Sequence, residues 1–388
     1  MKKVYSLLFT EKCPVICNYC NLRSRSSWEK NPEFTKEEFF DILSQHEDAD
    51  EFLFTGGEPF VRWPWIKEAI EKYGNNKSYS FNTNGYYLTA DKLEFLSHYR
   101  VRFNLSLDGP REIAMWRRPN AWNQKYDYWD TVEKNIPAIL YYFPTTHWKS
   151  IISKRIIQFI PKIYEAAASY GFKYIQFEQD FEEQGWRAAS QSGGTKAGWT
   201  EQDYARYKAA IDCCLTMMVQ SFKNGSYPLL ETSMYKYLMF ALSGRNEEPF
   251  TIESVNCGIA AKRGLSSVYN REGGICIGSI MKEQNKTVDE IFQDIENEYI
   301  EGCHRDPSCP YFNYCARYVC LKDNYTQNGH YLTASEEKCY HTKFWNDAAV
   351  KLLQIGNTFL SDNETYRKFI WDFAKKGEKQ CPLPTPHA

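Results

Sequence analysis

From residue 4 to about residue 178, short apolar runs alternate with stretches whose hydrophobic positions recur at helical spacing. The runs at 4–9, 51–55, 78–82, 101–107, about 146–153 and 173–178 read as strands. Two of the intervening helices announce their starts. Thr35-Lys-Glu-Glu38 precedes Phe39, Phe40, Ile42 and Leu43, and Asp130-Thr-Val-Glu133 precedes Ile136, Ile139 and Leu140, each a side-chain acceptor with a returning carboxylate. Strand, helix, strand in this order is how parallel βα units read. Six such units predict an α/β fold, a partial (β/α)6 TIM-like barrel open on one side, whose ligands gather at the C-terminal ends of the strands.

The pattern changes after residue 180. Residues 182–198 are rich in Gly and Ser with little to bury, and read as a long loop, either a lid over the barrel mouth or a plain connector. Residues 200–222 predict a helix with Tyr204, Tyr207, Ile211, Cys214 and Met218 on one stripe and Cys213 and Cys214 as core thiols. A second helix is expected at 231–242. Then come Cys257, Cys276, Cys303, Cys309, Cys315, Cys320 and Cys339, too dense for core packing, with a hairpin at 265–270 turning at Gly273-Gly274 and a helix capped by Thr287-Val-Asp-Glu290. The expected domains are a barrel at 1–180, a loop with bridging helices at 181–250, a cysteine-rich unit at 251–345, and C-terminal helices with a tail at 346–388.

Composition narrows the function classes. A formal net charge of −2 leaves no electrostatic footprint for nucleic acid or an anionic membrane. No run approaches the ~18 apolar residues of a membrane span, and the early apolar run is broken by Glu11 and Lys12 before any cleavage site. A cytoplasmic protein is expected. Thirteen cysteines, an odd number in a chain of 388 residues, suit reduced metal-binding thiols better than a secreted disulfide framework.

Chemistry concentrates just after the first strand, in Cys13-x3-Cys17-x2-Cys20. A cubane iron-sulfur cluster normally takes four thiolates, so three cysteines leave one iron free to hold something else. Zinc ligation would call for a fourth Cys or His close by, and the nearest downstream His is His46. Gly56-Gly57-Glu58-Pro59 follows the second strand directly, and its glycines let backbone approach a ligand closely, although alone the segment is an ordinary turn. Thr83-Asn84-Gly85 follows the third strand, with a structural or a contact role, and Ser106 and Asp108 end the fourth. The three cysteines, Gly56 to Glu58, and Ser106 to Asp108 all fall at strand C-terminal ends.

Together these residues resemble the radical S-adenosylmethionine (AdoMet) enzymes, and the later cysteines resemble their SPASM extension, in a layout similar to the sulfatase maturases. The resemblance implies a [4Fe-4S] cluster on Cys13, Cys17 and Cys20 whose free iron chelates AdoMet. It implies AdoMet contacts from Tyr19, Gly56, Gly57, Glu58, Pro59, Asn84 and Ser106, with Asp108 facing ribose or substrate in a catalytic role. It also implies two auxiliary clusters, one on Cys303, Cys309, Cys315 and Cys339, the other on Cys257, Cys276 and Cys320 with one iron lacking a cysteine, since Thr251 and Ile252 stand where the family has one. A zinc-ribbon-like structural site is the alternative for these seven.

The activity so implied is reduction of AdoMet to a 5′-deoxyadenosyl radical that takes hydrogen from a residue of a peptide or protein, as in crosslinking or epimerising maturases of ribosomal peptides. The alternatives are a radical dehydrogenase or epimerase of a small molecule, or an iron-sulfur carrier without catalysis. The partners implied are an electron donor such as flavodoxin or ferredoxin and, because Cys13 lies so near the start, a separate leader-peptide-binding protein. Ile277 occupies the position of the aspartate base of sulfatase maturases, so formylglycine formation is not expected.

Overall fold

The computed structural model describes residues 4–20, 34–118, 127–179, 199–243, 266–269, 285–301, 306, 308–309, 325, 329–334 and 336–376. The elements run β1 (Val4–Leu8), α1 (Lys36–Gln45), β2 (Glu51–Thr55), α2 (Trp63–Tyr73), β3 (Ser78–Thr83), α3 (Ala90–Ser97), β4 (Val101–Ser106), α4 (Arg111–Arg117), α5 (Tyr128–Tyr142), β5 (His147–Ile152), α6 (Ile160–Ser169) and β6 (Tyr174–Gln179). There follow α7 (Glu201–Lys223), β7 (Leu230–Glu231), α8 (Thr232–Ser243), β8 (Ser266–Tyr269), α9 (Val288–Glu301), α10 (Glu336–Phe359) and α11 (Glu364–Lys376).

The six expected strands form the middle of an open sheet in the order β7-β6-β5-β4-β3-β2-β1-β8, every neighbouring pair parallel. Two short edge strands go beyond the expectation. β7 has only two residues, and β8 comes from the segment read as a hairpin yet lies parallel beside β1; the second arm of that hairpin lies outside the described residues.

Side chains alternate across each strand, so one face meets the helices and the other lines the barrel. Phe54, Phe81 and Phe103 share a rung on the helix side, with neighbouring ring centroids 5.5 Å apart, and Phe60 joins Phe81 at 4.9 Å. Trp148 lies fully buried on the same side against Trp129, Tyr170 and Phe172. The inner wall is polar instead. Glu51 accepts from Ser80 Oγ and, at 2.6 Å, from Arg102; Asn104 donates to Asn82 at 2.9 Å; Lys149 pairs with Glu178 at 2.6 Å.

Most local signals act as read. Thr35 and Glu38 form the reciprocal cap of α1, and Thr287 and Glu290 cap α9 in the same way. The start of α5 differs: Asp127, not Asp130, caps it, accepting from Trp129 N at 2.9 Å, which leaves Asp130 inside the first turn. On α7 the stripe of Tyr207, Ile211, Cys214 and Met218 is buried, but Cys213 is exposed, because consecutive helical residues cannot both face the core. α10 runs unbroken across residue 345 and packs on the outer layer, with Trp345 stacked on Phe177 and its indole donating to Tyr207 at 3.0 Å. Among the described residues no helix is long and apolar enough to cross a membrane. The loop at 182–198 lies outside the described residues.

Candidate active site

The chain leaving β1 runs through Thr10 to Lys12 into the three cysteines, all half-buried. It is stitched to the end of β2: Gly57 N donates to Thr10 O and Glu58 N to Lys12 O, each at 2.7 Å. The two glycines are required for this approach. Gly56 has φ +135°, and a Cβ on it would sit 2.3 Å from Thr10 O; one on Gly57 would sit 2.4 Å from Lys12 O. What they admit is the backbone that carries the cysteines.

Glu58 ties the next strand into the same rim. It is fully buried, accepting from Phe60 N at 3.1 Å and Thr83 Oγ1 at 2.7 Å on one oxygen and from Asn84 N at 2.8 Å on the other. Burial outweighs these donors and pushes its carboxyl up to about 7. Pro59 is buried beside it at the head of a short 3-10 turn, Pro59–Arg62. Asn84, so held, accepts from Tyr86 N through Oδ1 and points Nδ2 at Cys13 Sγ, 3.6 Å away.

A second network reaches the loop from β4 and α4. Asp108 is fully buried with φ 68°, a left-handed position that Asp tolerates better than most residues. Oδ1 accepts from Ile151 N at 2.9 Å; Oδ2 accepts from Arg118 Nε at 2.7 Å and from Tyr19 OH. Burial would raise the Asp108 carboxyl, but Arg118 and Arg117 hold it below its usual value. The Tyr19 ring lies under both guanidiniums, 4.4 Å from Arg117 and 5.4 Å from Arg118. Arg118 then donates to Cys17 Sγ at 3.4 Å, while burial carries that thiol up to about 11 against its pull.

These contacts bring Cys13, Cys17, Tyr19, Gly56, Gly57, Glu58, Pro59, Asn84 and Asp108 to one rim, on the ends of β1 to β4. Ser106 is half-buried on the rung of Lys149, one step below. Sequence reading missed Arg117 and Arg118 and the pairing of Lys149 with Glu178; the cysteine that Arg118 reaches lies about 100 residues upstream. Of the later cysteines, Cys309 and Cys339 are half-buried; Cys257, Cys276, Cys303, Cys315 and Cys320, with Ile277, lie outside the described residues. Among the described residues no three His, Cys, Asp or Glu side chains are placed to share one metal ion. The loop fits a cluster by its donor set: three thiols, two of which receive N–H donors, as cluster sulfurs commonly do.

Residues 7–145 match the Radical SAM superfamily. The chain is 22% identical to a cysteine-type anaerobic sulfatase-maturating enzyme of Clostridium perfringens (strain 13 / Type A), over 78% of this chain and 84% of that one. Its fold is that of "Native anSMEcpe with bound AdoMet", with TM-score 0.62 and 19% identity over 91% of this chain and 99% of that one. "Native anSMEcpe with bound AdoMet and Cp18Cys peptide" gives TM-score 0.61 and 20% identity over 91% and 99%.

Proposed function

We propose, for a chain whose residues 7–145 belong to the radical SAM superfamily, that it is a radical AdoMet enzyme that modifies a residue of a peptide or protein. The observation that carries the reading is the rim itself: Cys13, Cys17 and Cys20 on one loop, with Asn84 and Arg118 donating toward two of the sulfurs. A [4Fe-4S] cluster on these thiols, with AdoMet bound, supplies a carbon-centred radical able to take hydrogen from an unactivated carbon. The protein's own part is placement. Gly56, Gly57 and Glu58 lock the loop to β2 and β3. Asp108 positions Tyr19 and Arg118; with both oxygens engaged and no exposed surface, it serves by orientation.

The peptide substrate is supported by the sulfatase-maturating relative and by the likeness to a chain holding a Cys-containing peptide. Ile277 in place of a carboxylate speaks against formylglycine as the product. Two auxiliary clusters on the seven later cysteines, a flavodoxin or ferredoxin donor, a separate leader-binding protein and a cytoplasmic location complete the reading. Anaerobically reconstituted protein given dithionite and AdoMet should release 5′-deoxyadenosine, and Cys13→Ala, Cys17→Ala or Cys20→Ala should each abolish it. Release by the variants at the parent rate would overturn the assignment.

A further inference from the structure

Arg117 ends α4 and Arg118 follows it as the cap residue, both against the cysteine loop. The last carbonyls of α4 hold it: Asn18 N donates to Arg117 O at 2.9 Å and Asn18 Nδ2 to Trp116 O at 2.8 Å. Both arginine side chains are buried, 5% and 6% exposed, where an unbalanced charge is costly. Arg117 reaches Ile151 O at 2.9 Å and Ser153 Oγ at 3.3 Å, and Asp108 Oδ2 lies 3.6 Å from its Nε. Arg118 spends Nε on Asp108 and turns Nη1 to Cys17 Sγ. Two guanidiniums thus face one carboxylate and one cysteine sulfur. A thiolate at that sulfur, as in a cluster ligand, would take a charge-assisted N–H donor from Arg118.

Electron affinity follows from the same geometry. Reduction adds one electron, taken from an external one-electron donor, to a cluster whose protein ligands keep their protonation state. The added negative charge spreads over iron and sulfur. A cationic N–H donor locked against a ligand sulfur in a site of low dielectric stabilises the reduced form more than the oxidised one. The neutral amide of Asn84, at 3.6 Å from Cys13, does the same more weakly.

We infer that Arg118, fixed by Asp108, is a positioning residue that sets the reduction potential of the cluster on Cys13, Cys17 and Cys20, making it easier to reduce. The inference rests on the radical AdoMet reading above, and the test separates the two. The full chain, R118Q and R118K are reconstituted anaerobically, their iron content and circular dichroism compared, and the paramagnetic signal that AdoMet perturbs is followed in a dithionite titration. R118Q should hold the parent's iron and shift its midpoint to more negative potential; R118K, which keeps the charge and loses the fork, should fall between; N84A should shift less than R118Q. An R118Q midpoint equal to or above the parent's overturns the inference. So does loss of the signal from both Arg118 variants with folding intact, which would make the residue a requirement of assembly. A parent without any AdoMet-perturbed signal overturns the functional reading instead.

Discussion

Single residues here do work that their spacing announces only in part. Cys13, Cys17 and Cys20 were legible because their meaning is local, and Gly56-Gly57-Glu58-Pro59 because it sits at a strand end. What the glycines and Glu58 touch was not, since their partners, Thr10, Lys12, Thr83 and Asn84, sit at the ends of β1 and β3 and in the segments just after them. Burial moves the Glu58 carboxyl from 4.5 to about 7, and Glu231, also buried, to about 7. An acid raised in the folded state favours the protonated form. Its stabilising contribution is therefore complete below about pH 4.5 and is lost as pH rises through 7. Thermal midpoints of the metal-free chain should accordingly fall between pH 5 and 8. The fall should shrink in Glu58→Gln and shrink further in the double variant with Glu231→Gln; equal slopes in all three would refute the assignment.

At the scale of elements, strand positions were readable because large apolar residues recur at every second place under the helices, as Tyr79 and Phe81 or Phe103 and Leu105 do. The ends were less so. Asp127 and Asp130 both offer a capping oxygen, and the Thr-Val-Glu that follows Asp130 imitates a capping box; the chain starts α5 one turn earlier, where Tyr128 and Trp129 can be buried and Asp127 also pairs with Arg111. Asp127→Ala should cost about 1 kcal/mol in urea unfolding, and Asp130→Ala well under half of that. The reverse order would restore the frame read from sequence. Arg117 and Arg118 escaped notice for a related reason: they end a helix of seven residues, and nothing in Met115-Trp-Arg-Arg118 tells which side chains fold back onto a loop about 100 residues upstream.

Across the whole molecule, the barrel, α7, α8, α10 and α11 share one core. Trp345 of α10 is fully buried between Phe177 of β6 and Tyr207 of α7, and Phe369 of α11 packs on Phe222 of α7. The helix that carries Cys339 is thus anchored to the barrel, which a reading by cysteine density could not show. Trp345→Ala should lower stability by about 4 kcal/mol, through a cavity between strand and helices as well as a lost hydrogen bond. A shift below about 1 kcal/mol in chemical unfolding would mean that α10 and the barrel unfold separately. The placement of β8 beside β1 bears on synthesis. Val4 pairs with Ser266, so β1 waits through about 260 residues, tens of seconds at the ribosome, before that flank is covered. The cysteine loop hangs from that strand. Throughout that interval the nascent chain carries an uncovered edge next to the loop that bears Cys13, Cys17 and Cys20.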